Sequence, residues 1–239
     1  MLGLYIGIIL LLNIPYVQHQ MSVLVAKELS SVLGSRLTIG RINIGLLNRI
    51  IIDDLMLNDQ SGKELLKVGR LSAKFEILPL FNGRISIGNV QLFSFNANLE
   101  KPTPQATSNF QFVLDAFASK DTVKKKSNLD LRINSLLIRR GRVSYDVLSA
   151  ERTPGKFNPQ HIRLSNILAN ISLKALQSDS INAAIKRMSI EEDHSGFELK
   201  KLSLKIVANN KKMWIENFAI DLPNTSLAMD TIRMEYDSL

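Results

Sequence analysis

One short pattern recurs along most of the chain and limits what it can fold into. An apolar residue, any residue and an apolar residue precede two residues that are mostly polar or Gly. Apolar, any, apolar then follows. The pattern first occurs as Leu37, Ile39, the break Gly40-Arg41, Ile42 and Ile44. It returns as Ile50, Ile52, Asp53-Asp54, Leu55, Leu57, and as Leu66, Val68, Gly69-Arg70, Leu71, Ala73. The fourth copy is Ile85, Ile87, Gly88-Asn89, Val90, Leu92. Leu131, Ile133, Asn134-Ser135, Leu136, Ile138 and Ile162, Leu164, Ser165-Asn166, Ile167, Ala169 continue it. The last four copies begin at Ala183, Phe197, Met213 and Leu227, with Met188, Leu202, Phe218 and Ile232 resuming after their breaks. Ala73, Ala169 and Ala183 are its weak members.

Residues two apart on a strand share a face. A two-residue break shifts that phase by one, so a regular strand would turn its second half over. A β-bulge absorbs the extra residue, keeps both apolar pairs on one side and adds bend. The Gly, Asn, Asp and Ser of the breaks suit it. A hairpin at each break is the alternative, but it leaves strands of only three residues. Turn-forming residues fall between units instead, at 58–62, 82–83, 194–196, 209–210 and 223–224. Each unit therefore reads as a bent strand with one apolar and one polar face. Repetition at this period predicts an extended, repeat-built sheet, and a generic antiparallel sheet is the plainer reading of the same alternation.

The chain opens differently. No Asp, Glu, Lys or Arg precedes Lys27, and residues 1–17 (MLGLYIGIILLLNIPYV) are almost wholly apolar. As a helix they would rise about 25 Å, just short of a hydrocarbon core of about 30 Å. The expectation is a transmembrane anchor over 1–17. A cleaved signal peptide is the rival, without its usual basic start and small-residue cleavage site, and a buried core helix is the third reading. Lys27, Arg36 and Arg41 follow the segment and none precedes it, so the positive-inside rule taken literally leaves the bulk cytoplasmic. A true start lying upstream would remove that difficulty. Residues 18–34 form an amphipathic helix, with Val17, Met21, Leu24, Val25, Leu29, Val32 and Leu33 on one face and Gly34 as its stop. That face lies on a membrane, plugs an end of the β region, or packs in an ordinary core.

Two stretches interrupt the strands. Pro102 and Pro104 mark a loop, and residues 108–119 (SNFQFVLDAFAS) read as a short helix with a Ser108–Gln111 capping box and Phe110, Val113, Leu114 and Phe117 on one face. Lys124, Lys125 and Lys126 follow in a solvated loop, and a second loop spans 151–159. With 30 Lys and Arg against 22 Asp and Glu, the net charge is +8. Nucleic acid is disfavoured as the partner. Arg84, Lys74, Arg132, Arg163, Lys174 and Lys205 are scattered, Trp214 is the only Trp, and no nucleic-acid motif occurs. The charge reads as the wet face of the sheet.

Signs of catalysis are sparse. The chain has no Cys, which excludes disulfides and thiolate chemistry. His19, His161 and His194 lack metal-ligand spacing. The run Glu191, Glu192, Asp193, His194 reads as a turn rather than a metal site, and Asp53-Asp54 as a bulge rather than a carboxylate pair. No phosphate loop, dinucleotide fingerprint or nucleophile elbow is present. The expectation is a protein without catalytic residues, metal or cofactor.

The ordered set "LGSRLTIGRINI", "IIIDDLMLND", "GKELLKV" and "ISIGNVQLFSFNANLE", following an apolar start and an amphipathic helix, resembles the N-terminal region of the AsmA-like superfamily. It is most similar to the TamB-type translocation and assembly module proteins of Gram-negative bacteria. "NFQFVLDAFASKD" resembles a segment of their Bacteroidetes-type members. The resemblance covers essentially the whole chain, through patterns rather than a catalytic signature. It implies a mainly β fold: an N-terminal transmembrane helix and amphipathic helix, then an elongated, curved antiparallel sheet over 35–239 forming a taco-like groove with one inserted helix. It also implies a single-pass inner-membrane protein with its bulk in the periplasm. Such a groove would hold acyl chains of phospholipid for transport to, or assembly of, the outer membrane. Family members are usually longer, so an incomplete C-terminus is expected, and an Omp85-type partner would meet a region beyond it. An alternative is a scaffold that pairs with other proteins through open sheet edges. The residues expected to line the groove are Ile39, Ile42, Ile52, Leu55, Ile87, Val90, Ile133, Leu136, Leu202 and Phe218.

Overall fold

Alternation breaks into strands where Gly, Asn and Pro accumulate, and the computed structural model of the chain has strands there. It describes residues 7, 10–11, 13–45, 48–76, 85–118, 129–130, 134–176, 180–209 and 211–235. Helix α1 (Pro15–Leu33) precedes β1 (Leu37–Gly45), β2 (Arg49–Asn58), β3 (Glu64–Glu76) and β4 (Ile85–Lys101). Helix α2 (Gln111–Ala118) follows, then the two-residue β5 (Leu129–Asp130) and β6 (Ser135–Val147). The chain continues through β7 (His161–Leu176), β8 (Ser180–Glu192), β9 (Phe197–Asn209), β10 (Lys212–Leu222) and β11 (Thr225–Glu235).

These strands form one mixed sheet in the order β1-β2-β3-β4-β6-β7-β8-β9-β10-β11, with β5 beside the start of β4. Neighbours are antiparallel except at β4, which pairs with β5 and β6 in parallel. The expected all-antiparallel sheet is corrected there. The physical reason is the insertion carrying α2, which returns the chain to the end where β4 began. A hairpin cannot make that connection, and a crossover can.

The breaks behave as bulges. Asp54, Ser94, Arg140, Asn166 and Asn217 have positive φ in the middle of β2, β4, β6, β7 and β10. The pairing register slips between Ile185 and Met188, between Met188 and Ile190, and between Glu216 and Ala219, at the breaks of β8, β9 and β10. From β1 to β6 the breaks of neighbouring strands lie side by side. Gly40 and Gly69 flank Asp54, between the pairs Ile39–Leu55 and Arg41–Asp53 on one side and Leu55–Val68 and Asp53–Arg70 on the other. A Cβ at Gly40 would stand 2.9 Å from the Cβ of Asp54, so a side chain there would collide with the bulge next door. The result is a seam of bends across β1 to β6; beyond it the breaks are staggered, with Arg187 of β8 opposite Asn170 and Lys201 of β9 opposite Asp221. Two seam positions differ from the sequence expectation. In β4 the left-handed residue is Ser94, in addition to a register slip at Gly88, and in β6 it is Arg140 rather than a residue of Asn134-Ser135.

Helix α1 runs beside β1 and covers its outer edge. The Leu37 N–H donates to Ser30 Oγ at 2.9 Å, and the Asn13 side-chain amide donates to the Ile44 carbonyl at 3.0 Å. Gln18 donates to Asn43 Oδ1 at 2.6 Å. An uncovered edge is a template for uncontrolled pairing, and a helix is one way to mask it. The helix begins three residues earlier than residue 18 and ends with Gly34 in the left-handed conformation, as expected of a glycine stop. Its buried face is not the expected apolar one. Gln18 and Ser22 are buried against β1, whereas Leu24 and Val32 are 63% and 67% exposed. Edge hydrogen bonding selects the polar side of the helix. Among the described residues no helix is long and apolar enough to cross a membrane, so the transmembrane helix expected over 1–17 is not supported. Asn13 and Ile14 form a turn and bend before α1, and α1 itself carries Lys27 and Glu28. Much of 1–12 lies outside the described residues.

At one end of the sheet Leu37, Leu57 and Leu65 form a small core, against which Ala26 and Leu33 of α1 and Phe110, Phe112 and Val113 around α2 pack. Phe112 thus takes the place expected for Leu114, which is 50% exposed. The capping box does not form, because the Gln111 amide donates to Asp115 at 2.9 Å. The expected Phe117 contact lies outside the described side chains.

Gly141 sits at the β6 seam beside Phe95, and a Cβ there would overlap the aromatic ring. Gly141→Val is expected to displace Phe95 and cost about 1–3 kcal/mol, the usual penalty of overpacking. A urea titration followed by circular dichroism measures this as a lower midpoint.

Candidate functional site: an uncovered apolar face

Residues directly opposite in a ladder point to the same face, so the register maps the face residue by residue. Ile42 faces Ile52, Ile52 faces Leu71, and Leu71 faces Leu92. Leu92 then faces Ile138, Ile138 faces Ala169, and Ala169 faces Met188. Met188 faces Leu202, Leu202 faces Ile220, and Ile220 faces Leu227. An unbroken apolar row therefore crosses all ten main strands. A second row runs Ile44, Ile50, Ala73, Val90, Leu136, Ile171, Ile185 and Leu204. On the other side of the seam Ile39, Leu55, Val68 and Phe95 form a third.

The break residues turn to the opposite face. Gly40, Arg41, Asp53, Asp54, Gly69 and Arg70 line one shallow furrow there, and Gly69, Arg70, Phe93, Ser94 and Arg140 line the next. Both residues of each break facing the furrow leaves the flanking apolar residues together on the other face.

Of the residues expected to line a groove, Ile39, Ile42, Ile52, Leu55, Val90, Leu136 and Leu202 lie in these rows. Phe218, opposite Met229, lies two residues from Ile220 on the same face. Ile87 is in β4 opposite Phe75, but its side chain is outside those described, and Ile133 is outside the described residues altogether. Ile42 and Leu55 are buried, and Ile52, Val90, Leu136, Leu202 and Phe218 are half-buried. At the far edge Leu227 and Met229 are 45% and 42% exposed. Leu71, Leu92, Ile171 and Ile185 belong to the face as well; all but Ile171 already stand in the strand pattern. The weak member Ala169 is buried in the row between Ile138 and Met188.

Most domains bury such a face against a second layer. Here the extensive contacts are between sheet neighbours and between α1 and β1, and no described element lies along the rows as a second layer. The chain exposes 16178 Å² of surface, against about 10,800 Å² for a globular monomer of its mass by the usual scaling. A single sheet with two accessible faces contributes to that excess.

The polar residues singled out in the sequence hold the frame. Asp53 pairs with Arg70 at 2.6 Å across the seam. Buried His161 places Nδ1 2.8 Å from Asp146 and Nε2 3.1 Å from the Ala150 carbonyl, tying β7 to the loop that precedes it. His19 is exposed on α1. Glu192 is 2% exposed at the β8–β9 turn. Among the described residues no three His, Asp or Glu side chains gather closely enough to hold a metal ion.

Neither a protein-family model nor a curated protein matches the chain.

Burial raises the Glu192 carboxyl, but the Ser195 hydroxyl and N–H and the N–H groups of Arg163 and His194 outweigh it and hold it down to about 2. A depressed carboxyl stabilises the fold above its unfolded value of 4.5 and loses that contribution as pH falls toward about 2. Glu192→Gln should therefore lose roughly 1–3 kcal/mol at neutral pH. It should also lose less further stability than the parent on acidification through this window. Urea midpoints measured across that range check both.

Proposed function

We propose that this chain is a non-enzymatic lipid-binding protein of the Gram-negative cell envelope, of the AsmA-like, TamB type. Its apolar sheet face solvates acyl chains during phospholipid transport to, or assembly of, the outer membrane. The observation that carries this reading is the apolar row through ten strands with no described second layer. A cross-section of one apolar face and one polar face suits a trough for acyl chains in an aqueous compartment. Each methylene withdrawn from water contributes about 0.8 kcal/mol, so even part of a chain laid along the row would be held. Binding is shared among many half-buried residues, and no single one is essential. The sheet's curvature follows from its bulges, because each adds bend to its strand.

In this reading the bulk of the chain is periplasmic and works beside the inner membrane. The resemblance in the strand pattern and the inserted helix supports that placement. Ordered break residues and apolar rows extending from β1 to β11 agree with a long, repeat-built groove.

A second reading has one specific observation behind it. The β1 edge is masked by α1, but β11 has no neighbour on its outer side among the described residues, and its Leu227, Met229 and Met234 are exposed. A scaffold that adds a partner's strand to β11, in outer-membrane protein assembly with an Omp85-type protein, would use that edge.

Photocrosslinking amino acids at Leu136 and Leu202 are expected to capture lipid in cells, while those at Lys67 and Gln91 on the other face, in β3 and β4, are not. Mass spectrometry of the adducts checks it. Equal capture from both faces, or a protein adduct without lipid at Leu136 and Leu202, would overturn the lipid reading.

A further inference from the structure

The furrow face carries a charge pattern that acyl-chain binding does not use. Both residues of each break turn to this face, and their charges are unevenly distributed along the seam. In β1 to β3, Arg41 and Arg70 are balanced by Asp53 and Asp54, and Arg70 is ion-paired to Asp53. In β10 and β11 the breaks are Glu216-Asn217 and Asp230-Thr231. Between these neutral and acidic ends, the breaks of β6, β8 and β9 are Arg139-Arg140, Lys186-Arg187 and Lys200-Lys201. All six cations are exposed. None has a hydrogen bond or ion pair from its side chain among the described residues, although Asp221 lies opposite Lys201 in the ladder.

Unpaired cations collected on adjacent strands repel one another and lower stability. Other Lys residues at the sheet are neutralised in place: Lys63 by Glu100, Lys205 by Glu216 and Lys212 by Glu235. The cations of the band on β6, β8 and β9 are not; Glu191 and Asp193 on this face instead accept hydrogen bonds from Asn166 and Ser165 of the β7 break, so further counter-charge would come from outside the chain.

We propose that this band docks the outer face of the sheet onto an anionic lipid bilayer surface. The layout of the charges favours a surface over a single anion. A bound phosphate needs donors that converge, whereas Arg187 and Lys201 are diagonal neighbours on adjacent strands, spaced by about 7–8 Å. Such spacing suits an array of phosphates. Single-stranded nucleic acid would want aromatic rings between the cations for base stacking, and none of the break residues of β6 to β9 is aromatic. The inference concerns the face opposite the acyl-chain rows and stands whether or not those rows bind lipid.

The full chain would be sedimented with phosphatidylcholine vesicles and with mixed phosphatidylcholine–phosphatidylglycerol vesicles. The difference isolates the anionic contribution from any apolar attachment through α1. Each surface cation contributes about fivefold in affinity at low salt. Lys186→Glu with Lys200→Glu is expected to cut the phosphatidylglycerol-dependent part about tenfold or more, and high salt should do the same. Lys156→Glu with Lys211→Glu changes the net charge equally in exposed turns and is expected to change it by no more than about twofold. If the reversed variant loses its β signal in circular dichroism, Lys186→Gln with Lys200→Gln decides instead, at about fivefold or more. Equal losses in the seam and turn variants would overturn the proposal, as would no excess for phosphatidylglycerol vesicles. Tighter binding of a short DNA duplex than of those vesicles at the same salt would overturn it too.

Discussion

Everything distinctive in this sheet depends on a bulge in the middle of the strand. A strand of 13 residues that simply alternated would need no break, but it would also be straighter. The two-residue break bends the strand, and it would also invert every side chain beyond it. A left-handed residue at Asp54, Ser94, Arg140, Asn166 or Asn217 absorbs the inversion. Non-glycine residues in that conformation cost of order 1–3 kcal/mol each. Asp and Asn reach it most cheaply, and they occupy three of the five sites. The neighbouring glycines, Gly40 and Gly69, carry the other half of the device by leaving room for the bulge beside them.

A bend confined to one strand would tear the ladder. From β1 to β6 the breaks lie next to one another and the bend is shared from strand to strand; where they are staggered, the hydrogen bonding continues with shifts of a single residue. That continuity also explains why the apolar rows survive on both sides of the seam. It leaves a single layer with a small packed core at one end, around Leu37, Leu57 and Leu65. Such a sheet is stabilised by its ladders and by α1 on the β1 edge. A ligand or partner bound only to the folded face would stabilise it further by mass action.

The periodicity made most of this legible in advance. The apolar-break-apolar units located the strands, their faces and most of the seam. It misled where the template met an unusual residue. Phe93 is apolar but belongs to a break, so the bulge at Ser94 was hidden inside an apparently continuous apolar run. In β6 the residue resuming the pattern is Gly141, small because Phe95 fills its space, so the break at Arg139-Arg140 lies five residues beyond the expected Asn134-Ser135. The parallel pairing of β4 with β6 depends on a long-range crossover that no local pattern records. Helix α1 was read from its apolar stripe, yet its docking is decided by edge amides and carbonyls that recruit Asn13, Gln18 and Ser30. The lining residues themselves were legible because they are the period; which face is left uncovered is a tertiary fact.

The same break separates two kinds of chemistry. Apolar residues flanking it are fixed to one face by the need for continuous rows. The break residues are fixed to the other face but not to any residue type, beyond the requirement for tight or left-handed backbone at some strands. Charge can therefore change along the seam without touching the apolar rows, from Asp53-Asp54 in β2 to Lys200-Lys201 in β9. A substitution of a break cation alters the field of the outer face while Met188 and Leu202 keep their partners. A substitution within a row does the reverse. Two surfaces with independent sequence requirements thus arise from one repeated backbone irregularity, and each can be altered in turn without dismantling the other.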